Sequence, residues 1–392
     1  MKPAACDAGA GRVPIELYAI AGLAGSAIGL FGVLVAALLA RAGWSEVQVG
    51  RNGSLFFLCL ALAAPVAGAL MRQRDARTVL GGGLALAAAS AMLFPLLPGD
   101  AMWTLLRAAL GLGVGLYMVA GQTALTALAP EGRRATASGL QALAFGAGIG
   151  VGPLVGAALD PFSPVLAFGA GAFALVAGLC LVLRLRPLRV AAGAVADPGL
   201  WRRVLLPLHA VFAYGTAEAT LVSLFPVFML RGGHDLGETS VALAAFVAGS
   251  LASVLPVTRA ADRWGGLRAI GACAALGAAA CIGLAAWPLN AAPWSVALIS
   301  GVAGAAIGPL FPLALSAVGA TLPGEKRAAG SALFTMAFSL GSLCAPWLAG
   351  LAMQRWGPAH VFSLTTVLLA SLLLHLLLAR ARKPLASGWW AV

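Results

Sequence analysis

The chain has 392 residues, of which 61% are hydrophobic and only 10% are charged. A soluble domain could not bury so much apolar surface, so this composition excludes a soluble globular protein. The net charge of +12, from 25 Lys and Arg against 13 Asp and Glu, would suggest nucleic acid as a partner in a soluble protein, but its distribution excludes that reading here.

Twelve apolar segments run through the chain in sequence. A bilayer core about 30 Å thick requires roughly 20 apolar residues for each helix that crosses it. The sequence therefore predicts an all-α integral membrane protein with twelve spans. The predicted spans are residues 14–40, 50–71, 78–97, 101–128, 136–159, 164–183, 204–230, 239–258, 267–287, 294–320, 328–353 and 358–379.

Positive charge is concentrated on one side of these spans. Only Arg41, Arg51, Arg231 and Arg355 fall on the other side, and Arg107 falls within a span. Because cytoplasmic loops carry the excess of Lys and Arg, we expect both termini to be cytoplasmic. The Ala-, Gly-, Leu- and Arg-rich composition and the brief loops indicate a multi-pass protein of a bacterial inner membrane.

The fourth span carries a cation. WTLLRAALGLGVG, residues 103–115, opens this span and contains Arg107. At about 100° per residue, Arg107 shares one helix face with Met118 and Gln122. The sequence predicts that these three side chains line a central cavity.

Near the start of the second span, Arg51 and Asn52 are interpreted as interfacial anchors, with a gating contact as the alternative.

The fifth span contains GIGVGPLVG, residues 148–156. Gly148, Gly152 and Gly156 recur every four residues on one helix face, so a neighbouring backbone can approach closely. Pro153 removes one backbone hydrogen bond and permits a bend. This pattern predicts a close helix contact.

The chain repeats itself. Arg41 and Gly43 align with Arg231 and Gly233, and further along Phe145 aligns with Phe338. Six spans therefore occur twice in the same orientation, which is typical of transporters whose site lies between the two halves. We expect a first bundle over residues 1–185, a cytoplasmic linker over 186–203 and a second bundle over 204–392.

The seventh span contains one carboxylate, Glu218, within FAYGTAEATLVSLFP, residues 212–226. A charge at mid-bilayer costs roughly 2.5–3.5 kcal/mol, so Glu218 is expected to face water or to be protonated much of the time. A carboxylate wetted in one conformation and desolvated in another binds and releases a proton as access alternates. The sequence predicts Glu218, with Arg107 if the two lie close, as the proton-coupling or substrate-binding group.

Two further readings concern this span. A hydrogen bond that merely joins two helices is the alternative role for Glu218. The same helical wheel places Tyr214, Phe225 and Met229 on the face of Glu218, and they are predicted to line the cavity.

The loop after the eighth span reads TRAADRWGGLR, residues 258–268. A carboxylate at Asp262 beside Arg263 and Arg268 can latch two helix ends in one conformation, and Gly265 permits a tight turn. The equivalent loop of the first half, GALMRQRDAR, residues 68–77, has Arg72 in place of the acidic residue and Asp75 in place of the glycine. A latch is therefore predicted mainly in the second half.

These motifs resemble those of the major facilitator superfamily over essentially the whole chain. TRAADRWGGLR resembles its cytoplasmic loop signature, WTLLRAALGLGVG its embedded-arginine motif and GIGVGPLVG the Gly-Pro motif of its antiporter branches. The resemblance implies a monomeric carrier, closest to proton-coupled drug and metabolite exporters.

The sequence favours a secondary transporter that exports small amphiphilic molecules, drugs or metabolites such as metal chelators, in exchange for protons. Proton-linked uptake of an organic solute is the alternative, and a scaffold or sensor without transport is a remote one. A membrane enzyme is disfavoured because no catalytic cluster appears. The four histidines are not grouped along the chain as metal ligands, and no cofactor or nucleic-acid partner is predicted.

Overall fold

The computed structural model describes residues 13–129, 134–187, 199–288, 292–322 and 326–382, and every regular element in these ranges is helical. The first half contains α1 (Ile15–Arg41), α2 (Glu46–Gln73), α3 (Ala76–Leu93), α4 (Asp100–Leu128), α5 (Arg134–Leu159) and α6 (Pro164–Val182). The second half contains α7 (Leu200–Arg203), α8 (Leu205–Ser223), α9 (Phe225–Arg231), α10 (Leu236–Trp264), α11 (Gly266–Ala286), α12 (Pro293–Ile307), α13 (Leu310–Thr321), α14 (Arg327–Trp356) and α15 (Ser363–Arg382), with a 3₁₀ helix at Pro358–Phe362.

Twelve helical segments of this described part are long and apolar enough to cross a membrane, which confirms the predicted all-α membrane fold. Most of the predicted linker, residues 188–198, lies outside the described residues.

The structure shows two helix interruptions that the apolar pattern did not predict. The seventh span breaks at Leu224, just before Pro226, and the tenth breaks at Gly308 and Pro309. Proline lacks the N–H that would continue the helical hydrogen-bond series, so each helix restarts there.

The repeat is visible in the turns. α2 and α10 begin with the same capping box, in which Ser45 and Gln48, or Asp235 and Glu238, exchange side-chain to backbone hydrogen bonds. The turn before each box contains a glycine with positive φ, 85° at Gly43 and 84° at Gly233. Because only glycine adopts this conformation without strain, the aligned glycines have the same structural role.

Helix packing repeats in the same register. A Cβ on Gly25 of α1 would overlap the carbonyl of Phe145 on α5, and a Cβ on Gly215 of α8 would overlap the carbonyl of Phe338 on α14. Gly111 of α4 approaches Phe56 in the same manner as Gly304 approaches its counterpart on α10, Phe246. Each half therefore uses the same backbone approaches to build its bundle.

The two halves meet along α2 with α14 and along α5 with α10, which are equivalent pairs in the repeat. At one end, which we name the closed end, Arg231 Nε donates to Glu46 Oε1 at 3.0 Å. Slightly deeper, the backbone N–H of Trp347 donates to Ser54 Oγ at 3.1 Å. Gly50 lies against the carbonyl of Pro346, so the helices are in direct backbone contact.

At the opposite end, which we name the open end, these helices separate. α10 has five buried residues near its start, between Leu236 and Leu243, but only Ala261 is buried in the rest of the helix. In α2 the buried residues likewise concentrate between Val49 and Phe57. Large side chains of α2 and α14 that lie nearer the open end, such as Leu62 and Met336, are more than half exposed. The interface is therefore closed at one end and open at the other.

Candidate functional site

Glu218 lies near the centre of the molecule on α8. The residue is partly exposed, and among the described residues its carboxylate makes neither a hydrogen bond nor an ion pair. Val222, one helical turn towards the closed end, contacts Gly32 of α1 and so marks the face of α8 that meets the first half. Glu218 therefore lies at the boundary between the halves, on the side of this contact nearer the open end.

Tyr214 lies one turn from Glu218 towards the open end and is also partly exposed. Its ring centroid is 5.4 Å from that of Phe311 and 6.1 Å from that of Phe338. An aromatic wall of the second half thus adjoins the carboxylate. This arrangement offers apolar contact beside one ionisable group, as expected for the binding of an amphiphilic molecule.

Arg107 is buried on α4, nearer the closed end of the molecule, with 4% of its surface exposed. Its guanidinium carbon lies 4.6 Å from the ring centroid of Phe56, a cation–π contact. Its Nε has no hydrogen-bond partner. A small internal space beside it is lined by α1, α2, α4 and, from α8, by Val222.

The predicted proximity of Arg107 and Glu218 is not observed as an ion pair. Among the described residues, Arg41 pairs with Asp160 and Arg231 with Glu46, and His234 Nδ1 lies 3.0 Å from Glu238 Oε2. Val222 lines the space beside Arg107 and lies one helical turn from Glu218; Arg107 is buried, whereas Glu218 is partly exposed.

Asn52 and Ser223 join Arg107 in a second small space on the same side of Val222. Asn52 is 4% exposed and Ser223 is 1% exposed. The interpretation of Asn52 as an interfacial anchor is wrong, because Asn52 lies on the packed face of α2 and is buried, while Arg51 is exposed. The helical position of Asn52, next to Gly53 and one turn from Phe56 on the packed face, was the available signal.

The predicted cavity-lining residues fall into two groups. Met118 and Tyr214 are partly exposed and Gln122 is exposed. Phe225 and Met229 are fully buried, so in this structure they do not line the open space. The helical wheel assumed one continuous helix, whereas the break at Leu224 separates α9 from α8, and the ring of Phe225 packs 6.3 Å from that of Phe362.

The predicted latch lies at the open end. Asp262, Arg263 and Arg268 are exposed, and Arg268 Nη1 donates only a long hydrogen bond, 3.5 Å, to the carbonyl of Trp264. Gly265 has a φ of 99° and joins α10 to α11, which is the tight turn that the motif predicts. The charged groups are therefore free to pair with the other half if this end closes.

The glycines of α5 pack as expected. A Cβ on Gly148 would overlap the carbonyl of Gly22, and one on Gly152 would overlap that of Ser26. Gly156 contacts Leu30, and Pro153 is buried within the helix. This contact holds α5 against α1 within the first half, so the motif forms part of that bundle's own packing.

Sequence reasoning missed one cluster, because its members are far apart along the chain. The Nδ1 atoms of His209 and His375 lie 3.2 Å apart, and His209 Nε2 lies 3.0 Å from Ser371 Oγ. Ser371 donates its hydroxyl proton to the carbonyl of Leu368, so it accepts from His209 Nε2–H. The remaining lone pair of His209 then accepts from His375 Nδ1–H, and the pair joins α8 to α15.

Comparison with known proteins agrees with this architecture. The sequence matches the profile of the Major Facilitator Superfamily over residues 17–233 and again over 208–388. It is 25% identical over 375 residues to the uncharacterized MFS-type transporter YfkF of Bacillus subtilis (strain 168), covering 93% of this chain and 95% of that protein.

Two solved structures illustrate the shared fold. The nucleoside transporter NupG superposes with a TM-score of 0.76 at 11% identity, over 94% of this chain and 99% of that one. A bacterial homolog of the human lysosomal transporter Spinster, inward-facing and occupied, superposes with a TM-score of 0.71 at 16% identity, over 95% and 98%.

Twelve spans in two repeated halves, separated at one end, are the fold of a membrane transporter rather than an enzyme. The chain belongs to the Major Facilitator Superfamily. Its molecular environment is therefore a lipid bilayer, and its ligand is a small-molecule substrate.

Proposed function

We propose that this protein is a proton-coupled secondary transporter that exports small amphiphilic molecules by alternating access. The observation that carries the proposal is Glu218, a carboxylate without a partner, partly exposed between the two halves and adjacent to an aromatic wall. When the open end closes, this carboxylate loses water and favours its protonated form, so proton binding biases the exchange between conformations.

The orientation of the molecule follows from its charge distribution. The open end contains the exposed Arg72, Arg74, Arg263 and Arg268, whereas the exposed arginines of the closed end are Arg41, Arg51, Arg231 and Arg355. The sequence places most of the remaining positive charges in the loops of the open end. By the positive-inside rule, the open end faces the cytoplasm of a bacterial inner membrane, with the chain acting as a monomer.

The substrate class follows from the surroundings of Glu218. The Tyr214, Phe311 and Phe338 rings provide apolar contact beside this single carboxylate. A site of this composition favours an amphiphile over a sugar, which needs many hydrogen-bonding partners.

The experiment measures transport in proteoliposomes with an imposed proton gradient. Radiolabelled candidates, namely lipophilic cations, amphiphilic carboxylates and sugars, are loaded on each side in turn. We expect an amphiphile to move in the direction opposite to protons, and we expect Glu218→Gln to abolish this exchange. Glu16→Gln should retain it, since Glu16 is a carboxylate at the open end of α1 and serves as the control.

Two outcomes would contradict the proposal. Transport by Glu218→Gln with an unchanged rate and pH dependence would remove Glu218 from coupling. Movement of the solute in the same direction as protons would establish uptake instead of export.

A further inference from the structure

We infer that Arg107, Asn52 and Ser223 form a binding site for a carboxylate group of the transported molecule. This inference rests on the proposed function and specifies its substrate as an amphiphile that carries a carboxylate. The three residues come from α4, α2 and α8, so the site is shared between the two halves.

The first argument is charge. Arg107 is 4% exposed, and no carboxylate of the described residues pairs with it. Its contact with the Phe56 ring compensates only part of the lost hydration, since a cation–π contact is weaker than the hydration that a buried guanidinium gives up. Uncompensated cations inside a membrane are costly, and those that persist generally mark substrate or ion pathways.

The second argument is hydrogen bonding. Arg107 Nε, Asn52 Nδ2 and Ser223 Oγ are each buried without a hydrogen-bond partner, although most buried polar groups in proteins are paired. All three atoms carry a hydrogen, and all three residues border one space. Several unpaired donors around a cation match the oxygens of a carboxylate, which accepts hydrogen bonds without donating any.

The third argument is the surroundings. The space beside Arg107 is otherwise lined by aliphatic and aromatic side chains of α1 and α4, together with Phe56 and Val222. For a strongly hydrated dianion such as phosphate, the free-energy cost of losing its hydration would exceed what contacts with this apolar lining contribute. A monocarboxylate on an apolar body fits both parts of the lining.

Access to the site depends on α8. Val222 contacts Gly32 and lines the space beside Arg107, while Ser223 lies against Gly53. Both side chains belong to the second half, so rocking of the halves moves them away from Arg107 and Asn52. The carboxylate would therefore bind when these contacts separate, and its negative charge would stabilise that arrangement.

The test compares three probes with one apolar body and different head groups: 4-phenylbutyrate, 4-phenylbutylamine and 4-phenylbutanol. Thermal unfolding of the purified full-length protein is measured with each probe, because a ligand of the folded state raises its apparent stability. We expect the carboxylate to stabilise the protein more than the amine or the alcohol. Equal stabilisation by all three, or none by the carboxylate, would overturn the inference.

Variants locate the site. Arg107→Gln is expected to weaken the apparent affinity for the carboxylate roughly tenfold or more, the size of one lost charge-assisted hydrogen bond. Asn52→Asp places a carboxylate next to Arg107 within the protein, so it is expected to raise stability without a probe and to abolish the preference for phenylbutyrate. This variant decides the question even if Arg107→Gln does not fold.

Thr220→Val is the matched control, since Thr220 is a similarly buried and unpartnered hydroxyl on α8 that does not border the space. It should keep the preference for the carboxylate. A preference that survives both Arg107→Gln and Asn52→Asp would overturn the inference. Because these measurements involve no proton gradient, they succeed or fail independently of proton coupling at Glu218.

Discussion

The two halves share their packing and differ in their polar groups. In the register that pairs Gly111 with Gly304, buried Arg107 of the first half corresponds to Ser300 of the second, which is also buried. In the register that pairs Gly25 with Gly215, Glu218 corresponds to Ile28. The scaffold is thus symmetric, as two rocking bundles require, while the candidate chemistry depends on charges that are not repeated, since Arg107 belongs to the first half and Glu218 to the second.

The largest expected effect on transport comes from moving the carboxylate of Glu218 to the equivalent position of the first half, Ile28. In the double variant Ile28→Glu/Glu218→Gln, the carboxylate lies beside the space that contains Arg107 and is expected to pair with that cation. Proton-driven transport should then stay reduced more than about tenfold, as for an essential proton carrier. Transport in proteoliposomes measures this.

Recovery of transport in the double variant would show that the two positions are interchangeable. The single variant Ile28→Gln serves as its control, because it adds a polar group of similar size without a charge.

The next effect tests the symmetry of the packing. Gly148→Ala and Gly341→Ala each place a methyl group against a backbone carbonyl of the facing helix, at Gly22 and Phe212. We expect each to destabilise the protein by about 1–3 kcal/mol, since backbones cannot easily move apart. Gly139→Ala, on the same helix as Gly148 but in open space, should have little effect in the same thermal unfolding assay. Unequal losses at Gly148 and Gly341 would weaken the equivalence of the two bundles.

The loops at the open end differ in how they start the following helix. Asp75 caps α3 by accepting hydrogen bonds from the backbone N–H of Thr78 at 3.0 Å and its hydroxyl at 2.9 Å, whereas Gly265, its counterpart, adopts positive φ. Asp75→Ala is expected to cost about 1 kcal/mol from the lost cap, and Gly265→Ala about 1–2 kcal/mol from backbone strain. Similar tolerance of alanine at Gly265 and at Gly139 would contradict this assignment.

The cap also has a defined pH dependence. Partial burial alone would raise the pKa of the Asp75 carboxyl, but the hydrogen bonds from Thr78, together with those from the backbone N–H groups of Asp75 and Arg77, hold that pKa below its ordinary value. Because the folded-state pKa is the lower one, this stabilisation is present above the unfolded-state pKa of about 4 and is lost as pH falls through the folded-state pKa. Asp75→Asn should remove this component from the acid limb of an unfolding profile.

The smallest effect concerns two equivalent arginines. Arg231 pairs with Glu46 of the other half, whereas Arg41 pairs with Asp160 of its own half at 2.8 Å. Both arginine side chains are half exposed, so each pair contributes at most about 1 kcal/mol. Arg231→Ala should therefore shift the equilibrium between conformations by up to roughly fivefold towards the one in which the halves separate at the closed end. Arg41→Ala should leave that equilibrium unchanged. Distances between spin labels at Gln48 and Arg355 measure this equilibrium, and an equal shift in both variants would contradict the prediction.

The sequence by itself determined the number of spans, the repeat, and the side chains that a membrane interior would not tolerate without a reason. These features follow from composition and local spacing, because a bilayer requires long apolar helices and makes every buried charge conspicuous. The capping boxes and the turns at Gly43, Gly233 and Gly265 are also local and follow from residue type.

Only the tertiary structure decided which polar groups meet. It left Arg107 and Glu218 without an ion pair between them, brought Asn52 and Ser223 to Arg107, and paired His209 with His375 across 166 residues. It also buried Phe225 and Met229, since the break at Leu224 ended the helical register that the wheel assumed. The physical reason is that such contacts depend on where a helix breaks, on which partner helix packs against a small-residue face, and on how the two halves tilt, and the spacing along one helix does not encode these.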